Sequence, residues 1–226
     1  MACWKPLARR ASSRALARKE PMPSVLTHPA VPLALGVAYG QRYVSRRLLL
    51  AGVGASILPD VDSLGLDAGI PYGHILGHRG FSHSILFALL LAVAAASLFR
   101  TLRASRSAAF AVVLVSCASH GLLDALTNGG LGVAFLSPFS NHRYFLPWRP
   151  IAVSPLDVDL FFSAWGLRVL RSEALSVWLP FALLGGLGFL IRREPRANPQ
   201  GGANGRQPCG SERERMSAAA ASRRSP

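Results

Sequence analysis

The sequence predicts an all-α fold, a polytopic membrane bundle of about five membrane-associated helices with a polar His/Asp site at one membrane face. Three observations predict it. Charge is scarce, with 50% hydrophobic and 16% charged residues, against roughly 25% charged in ordinary soluble domains. Residues 21–41, 80–99, 107–123 and 174–191 contain no Asp, Glu, Lys or Arg, and each run approaches the ~20 residues that cross a bilayer as a helix. The arginines gather between or beyond these runs, at Arg42, Arg46 and Arg47, at Arg100, Arg103 and Arg106, and at Arg192, Arg193 and Arg196. That is where cytoplasmic-side charge belongs in a membrane protein.

Residues 1–21 form a basic, Ala- and Ser-rich extension expected to be disordered, and a start at Met22 would leave it out. Residues 22–193 are the membrane-embedded domain. Its first helix is expected over about 29–41, interrupted early by Pro32, and its second over about 48–58, stopped by Pro59. A Gly-rich loop follows over 59–82. The third helix is expected over about 83–99, the fourth over about 107–127 and the last over about 174–191. Between the fourth and the last, 128–156 is irregular and rich in Gly and Pro, and 157–172 has an amphipathic pattern suited to the interface. Residues 194–226 are a polar, low-complexity tail expected to be disordered.

The formal net charge of +14 would suit nucleic acid. The arginine pattern instead explains it as topology, and Trp4 is the sole aromatic residue in the tails. No nucleic-acid partner is expected. Cys3, Cys117 and Cys209 lie far apart without a CxxC pair, so neither a disulfide framework nor a thiolate metal site is expected.

The polar residues carry the chemistry. His28, His74, His78, His83, His120 and His142 all fall in the domain, as do Asp60, Asp62, Asp67, Asp124, Asp157 and Asp159, and no Glu occurs between residues 21 and 172. Ionisable groups among membrane segments are costly and mark function. With the Arg-rich connections in the cytoplasm, His28, loop 59–82 and stretch 128–156 meet at the outer face. In Leu58-Pro59-Asp60-Val61-Asp62 an extended turn would point both carboxylates the same way; helix-end polarity or an Asx-turn is the plainer explanation for either alone. In Gly77-His78-Arg79-Gly80-Phe81-Ser82-His83-Ser84 the glycines allow a tight bend, and Ser82 or Ser84 can cap the next helix. Arg79 is the only Lys or Arg between Arg47 and Arg100. It suits an anionic oxygen such as a phosphate, or else an ion pair with Asp60, Asp62 or Asp67. His120 and Asp124, spaced i,i+4, share a helix face.

Imidazoles mixed with carboxylates suit Zn²⁺, with Mn²⁺ or Fe as alternatives, and the number of candidates leaves a two-metal centre open. Asp62 or Asp60 is the expected base, and Arg79 the expected stabiliser of developing negative charge. His74, His142, Asp157 and Asp159 are rim candidates.

At these motifs the chain resembles the YdjM-type family of inner-membrane, metal-dependent hydrolases. The likeness rests on LPDVD, GHRGFSHS and SHGLLDALTNGG, preceded by THPAV around His28, and extends through PWRPIAVSP from about Met22 to Ile191. It implies a polytopic protein of the bacterial inner membrane, a hydrolase, and a metal site of His28, Asp60, His78, His83, His120 and Asp124. A fainter similarity exists to the helical zinc-dependent phospholipase C and P1-nuclease fold. The later histidines of those enzymes are missing here, since only His142 follows Asp124. A site at the bilayer surface points to lipid or phosphoester substrates. The competing classes are an ion transporter, whose site would sit near the bilayer midplane, and a catalytically silent adaptor with a closed, structural metal site.

Overall fold

The computed structural model describes residues 25–153 and 163–193. The expected extension 1–21 with its start at Met22, the tail 194–226, and Asp157 and Asp159 lie outside them.

The described residues are helical, in five rods. The first is α1, Ala30–Tyr39. The second is α2, Arg46–Ile57, which continues as a 3-10 turn over Leu58–Ser63 and one α turn, α3, over Leu64–Asp67. The third and fourth are α4, Ile85–Ser97, and α5, Arg106–Ala125. The fifth runs from α6, Ala164–Glu173, through a π turn at Ala174–Trp178 into α7, Leu179–Arg193. Arg46–Asp67, Arg106–Ala125 and Ala164–Arg193 are long and apolar enough to cross a membrane, whereas α1 and α4 are shorter apolar helices. At ~1.5 Å per residue α1 covers about 15 Å, half of a ~30 Å hydrocarbon layer.

Three local outcomes differ from the sequence expectation. Pro32 does not interrupt α1, because it sits in the first turn, where its missing N–H has no partner to lose. The α-helix of the second rod ends at Ile57, just before Pro59, as expected, but the chain runs on past the proline as a 3-10 turn instead of entering a loop. The last helix begins at Ala164 rather than near 174, so residues 164–172 of the amphipathic stretch and the apolar run form one continuous rod.

Small side chains let the helices approach closely, the usual device where lipid supplies no hydrophobic drive. On α4, Ala88, Ala92 and Ala95 are buried at helical spacing and belong to one core with Ala109, Val112, Val113 and Cys117 of α5 and Leu48 and Ala55 of α2. On α7, Gly185 packs on Ala34, and a Cβ at Gly188 would lie 2.6 Å from the Ala38 Cβ. Outward faces keep large apolar groups such as Leu90, Val93, Leu183 and Leu190 exposed, as a lipid-facing surface requires.

One end of the bundle is the arginine end. Ser45 Oγ donates to the Leu102 carbonyl and caps α2 at Leu48 N, Arg47 Nη1 donates to the Thr101 carbonyl, and Arg192 Nη2 reaches the Val37 carbonyl. The opposite end holds His28 before α1, the 3-10 turn after α2, His83 before α4 and Asp124 at the end of α5. That end is closed by 128–153, which is irregular but firmly tied. Ala134 N donates to the Arg79 carbonyl at 3.0 Å, Ile85 N to that of Phe135 at 3.0 Å and Leu146 N to that of Ala125 at 2.9 Å.

Candidate metal centre

The 3-10 turn sets the direction of the aspartates. A 3-10 helix advances about 120° per residue, so Asp60 and Asp62 diverge instead of pointing the same way as an extended turn would have them. Asp60 joins His83, His120 and Asp124, with one donor atom from each within 4.8 Å of the others. Asp62 joins His78 and His83.

The His78–His83 segment is bent so tightly that glycine is obligatory at both its turns. A Cβ at Gly77 would lie 2.3 Å from the Pro71 carbonyl oxygen, and one at Gly80 would lie 2.3 Å from that of Ile75. Between them Arg79 adopts φ 60°, a conformation L side chains rarely take. Ser84, not Ser82, caps α4 by accepting from Phe87 N at 3.1 Å. Ser82 instead donates to Asp62 Oδ2.

Within the first group the donor atoms crowd. His83 Nε2 stands 2.9 Å from His120 Nε2 and 3.3 Å from Asp124 Oδ2. His120 Nε2 lies 3.4 Å from Asp60 Oδ1. His28 stacks on His120 with ring centroids 3.7 Å apart, its Nε2 3.6 Å from Asp60 Oδ2 and 3.9 Å from Asp124 Oδ1. Ligands about 2.0–2.2 Å from one zinc ion at tetrahedral angles stand ~3.3 Å apart, so a group with these spacings could hold a shared ion. His28, His120 and Asp124 are fully buried, and the Asp60 side chain keeps 12% exposure.

The ring nitrogens of His78, His83 and His120 that face away from the cluster are anchored, whereas His28 Nδ1 has no partner among the described residues. His120 Nδ1 donates to the Ser56 carbonyl at 2.7 Å. Asp62 accepts from His78 Nδ1 at 2.6 Å through Oδ1 and meets His83 Nδ1 at 3.1 Å through Oδ2. With Nδ1 committed, the free lone pair of each neutral ring is on Nε2. This outer support of metal-binding histidines fixes both tautomer and ring orientation.

The residues present fit a divalent metal. Both nitrogens of His28, Asp60 Oδ1, His78 Nε2 and both oxygens of Asp124 are buried without a hydrogen-bond partner among the described residues. So many orphaned acceptors in one place would be costly unless a cation satisfied them.

Burial, reinforced by His120, pushes the His28 imidazole down to about 3. At His83 burial acts in the same sense, but hydrogen bonds and charge from Asp124 and Asp62 overcome it and raise the imidazole to about 9. In the metal-free protein His83 therefore carries the cluster's proton.

The YdjM inner membrane protein family matches residues 22–195. The chain belongs to this family. It is also similar to inner membrane protein YbcI of Escherichia coli (strain K12), 41% identical over 173 residues that cover 76% of this chain and 100% of that protein. No solved structure matches the chain. With its three apolar rods of crossing length, this YdjM-family chain is an inner-membrane protein with a buried His/Asp cluster that could hold a metal ion.

The YdjM-family site gathers His28, Asp60, His83, His120 and Asp124 directly, with His78 held beside them through Asp62. Arg79 pairs with Asp124, Nε to Oδ2 at 3.0 Å, and not with Asp60, Asp62 or Asp67. Asp62, expected as a base, has its carboxylate engaged by His78 Nδ1, His83 Nδ1 and the Ser82 hydroxyl. His74 and His142 are exposed and stand apart from the cluster; His74 Nδ1 accepts from Leu76 N at 3.2 Å, and His142 packs on Tyr144. Sequence reasoning missed Arg143 and Tyr72. Arg143 donates to the carbonyls of His78 and Tyr72, each at 2.9 Å, and stacks over the Tyr72 ring at 5.4 Å. The sequence signal was thin, one of two arginines in an irregular stretch.

Proposed function

We propose that this YdjM-family protein is a membrane-bound hydrolase that uses a single divalent metal ion, with zinc the best match to the donor set, to cleave an ester or phosphoester of a lipid or lipid-linked substrate. The observation that carries the reading is the convergence of buried, unpartnered Nε2 and carboxylate atoms from four separated pieces of chain.

Asp60, His83, His120 and Asp124 would hold the ion, with His28 completing the set beside Asp60. When bound, such an ion lowers the pKa of water towards neutrality and polarises an ester oxygen. Asp62 is a positioning residue that holds His78 and His83 by their Nδ1 atoms. The 2.6 Å separation from His78 Nδ1 is a hydrogen-bond distance, shorter than the ~3.3 Å between ligands of one ion, which favours outer support over a second metal. Asp60 is the cluster carboxylate with an exposed edge, so it takes the proton of the attacking water on a carboxylate oxygen. Arg79 offsets the charge of Asp124 and stabilises negative charge that develops beside it.

An apolar groove of about 630 Å³ has the size and polarity for an acyl chain, and no cluster residue lines it. It is lined by apolar residues of α1, α5 and α7, from Val31, next to the start of α1, to Ile191 and Arg192 at the arginine end. Its upper end lies close in sequence to His28.

Metal analysis of the detergent-purified protein tests the reading, repeated on His120→Ala and Asp60→Ala. Wild type is expected to retain a stoichiometric divalent ion and each variant to lose most of it. Undiminished metal in both variants would sink the site. Retained wild-type metal with no turnover of any ester, phosphoester or phospholipid would leave the metal and remove the hydrolase.

A further inference from the structure

Arg79 is fully buried, yet its Nη2 has no hydrogen-bond partner among the described residues. Its Nε faces Asp124 Oδ2 at 3.0 Å, and Nη1 donates to the Gly129 carbonyl at 3.0 Å. In the rigid guanidinium fork Nη2 shares an edge with Nε, so the free donor lies on the edge turned towards the metal centre. The Tyr72 hydroxyl is buried too and gives its proton to no acceptor among the described residues. The guanidinium and the hydroxyl both border Gly130, where a Cβ would lie 2.8 Å from Arg79 Nη1, the nitrogen bound to the Gly129 carbonyl, and 2.8 Å from Tyr72 Oη. The Tyr72 ring is edge-on to His78, with centroids 5.3 Å apart, so the hydroxyl belongs to the same end of the site.

Charge supports an anion here. With a divalent ion among Asp60, Asp62 and Asp124, and the guanidiniums of Arg79 and Arg143 beside them, the site carries one positive charge in excess. A carboxylic ester offers one neutral carbonyl and would leave a buried donor unmet. A phosphate ester offers anionic oxygens to the metal and to both protein donors at once.

We propose that Arg79 Nη2 and the Tyr72 hydroxyl form the subsite for the non-bridging oxygens of a phosphate group, so that the substrate class of this centre is the phosphate esters. The proposal rests on the metal-centre reading and narrows it.

The test is a titration of the full-length, detergent-purified protein with inorganic phosphate, and separately with azide, a small anion that needs only the metal. Metal content is measured on the same samples. Tyr72→Phe removes one oxygen and keeps the ring under Arg143. It is expected to weaken phosphate about tenfold or more, the size of a lost charge-assisted hydrogen bond, with azide affinity and metal content unchanged. Phosphate binding within about twofold of wild type in Tyr72→Phe, with metal in place, would overturn the subsite and keep the metal centre. Tyr72-dependent phosphate binding by a protein without metal would do the reverse. Binding that is neither metal- nor Tyr72-dependent would remove both. Phosphatidic acid in mixed micelles and glycerol phosphate identify the source: Tyr72-dependent binding of the lipid alone marks a headgroup, and equal binding marks a soluble ester.

Discussion

Replacing Asp62 by Asn separates a supporting carboxylate from a catalytic base. The carboxylate serves His78 Nδ1 at 2.6 Å, His83 Nδ1 at 3.1 Å and the Ser82 hydroxyl. An amide of the same shape has one acceptor oxygen. It can satisfy one imidazole N–H, and its NH₂ then faces the other, which also donates. One ring loses its anchor and the pair loses a negative charge that favours both. Removal of such outer partners typically weakens metal binding 10- to 100-fold, or ~1.4–2.7 kcal/mol. Asp62→Asn should therefore bind zinc about 10- to 100-fold more weakly in a competition titration against a chelator. The protein should still load fully at saturating metal, unlike His120→Ala. A base would behave in the opposite way, with metal affinity intact and turnover lost. Wild-type affinity in Asp62→Asn would refute the supporting role, and metal loss as complete as in His120→Ala would make Asp62 a ligand.

Other outcomes follow from the same geometry. Asp124→Asn removes a ligand and leaves the fully buried Arg79 unpaired, so it should lower the thermal midpoint as well as metal content, with a stability loss of about 3–5 kcal/mol. Because His83 sits at about 9 in the metal-free protein, a metal must displace its proton below that pH. Affinity should climb up to about tenfold per pH unit from 7 towards 9 and then level off; His28, held at about 3, stays neutral and adds nothing to this slope. A flat affinity over that range, measured by chelator competition, would contradict the assignment. His74→Ala and His142→Ala should leave metal content unchanged, since both rings are exposed and outside the cluster. Chelation should raise amide exchange at 58–63 and 78–84 while the Arg47–Thr101 end keeps its protection, which hydrogen-exchange mass spectrometry would read.

Much of the site was legible because the chain makes few polar choices. With charge absent from the helical runs, His28, Asp60, His83, His120 and Asp124 had to lie near helix ends, and the alternation of arginine-rich turns put those ends on one side. The i,i+4 pair on α5 needed nothing beyond helix geometry. The direction of Asp62 was not legible, because an i,i+2 spacing converges in extended chain and diverges in a 3-10 turn, and Pro59 is compatible with both. Arg168, Arg171 and Glu173 hid the start of the last helix by interrupting its apolar run, although they occupy one helix with it. Tyr72 and Arg143 were hidden more deeply. Their roles depend on contacts 65 and 71 residues away, from Arg143 to the carbonyls of His78 and Tyr72, and no local periodicity encodes such contacts.

Arg79 links these observations. Two carboxylates that share a metal-sized space in an apolar bundle repel each other, and burial denies them water. In the metal-free protein their charge is offset by the Arg79 guanidinium at Asp124 and by the proton on His83. A bound metal ion would displace the proton and leave the guanidinium, because arginine does not give up its charge. The lone arginine of GHRG is thus needed first to assemble the carboxylates and is still charged once the ion is present. Its buried position keeps that charge undiluted by solvent. The strained φ of Arg79 between two obligatory glycines has the same logic. The backbone is bent there so that one side chain can reach Asp124 and Gly129 together and still leave a donor free.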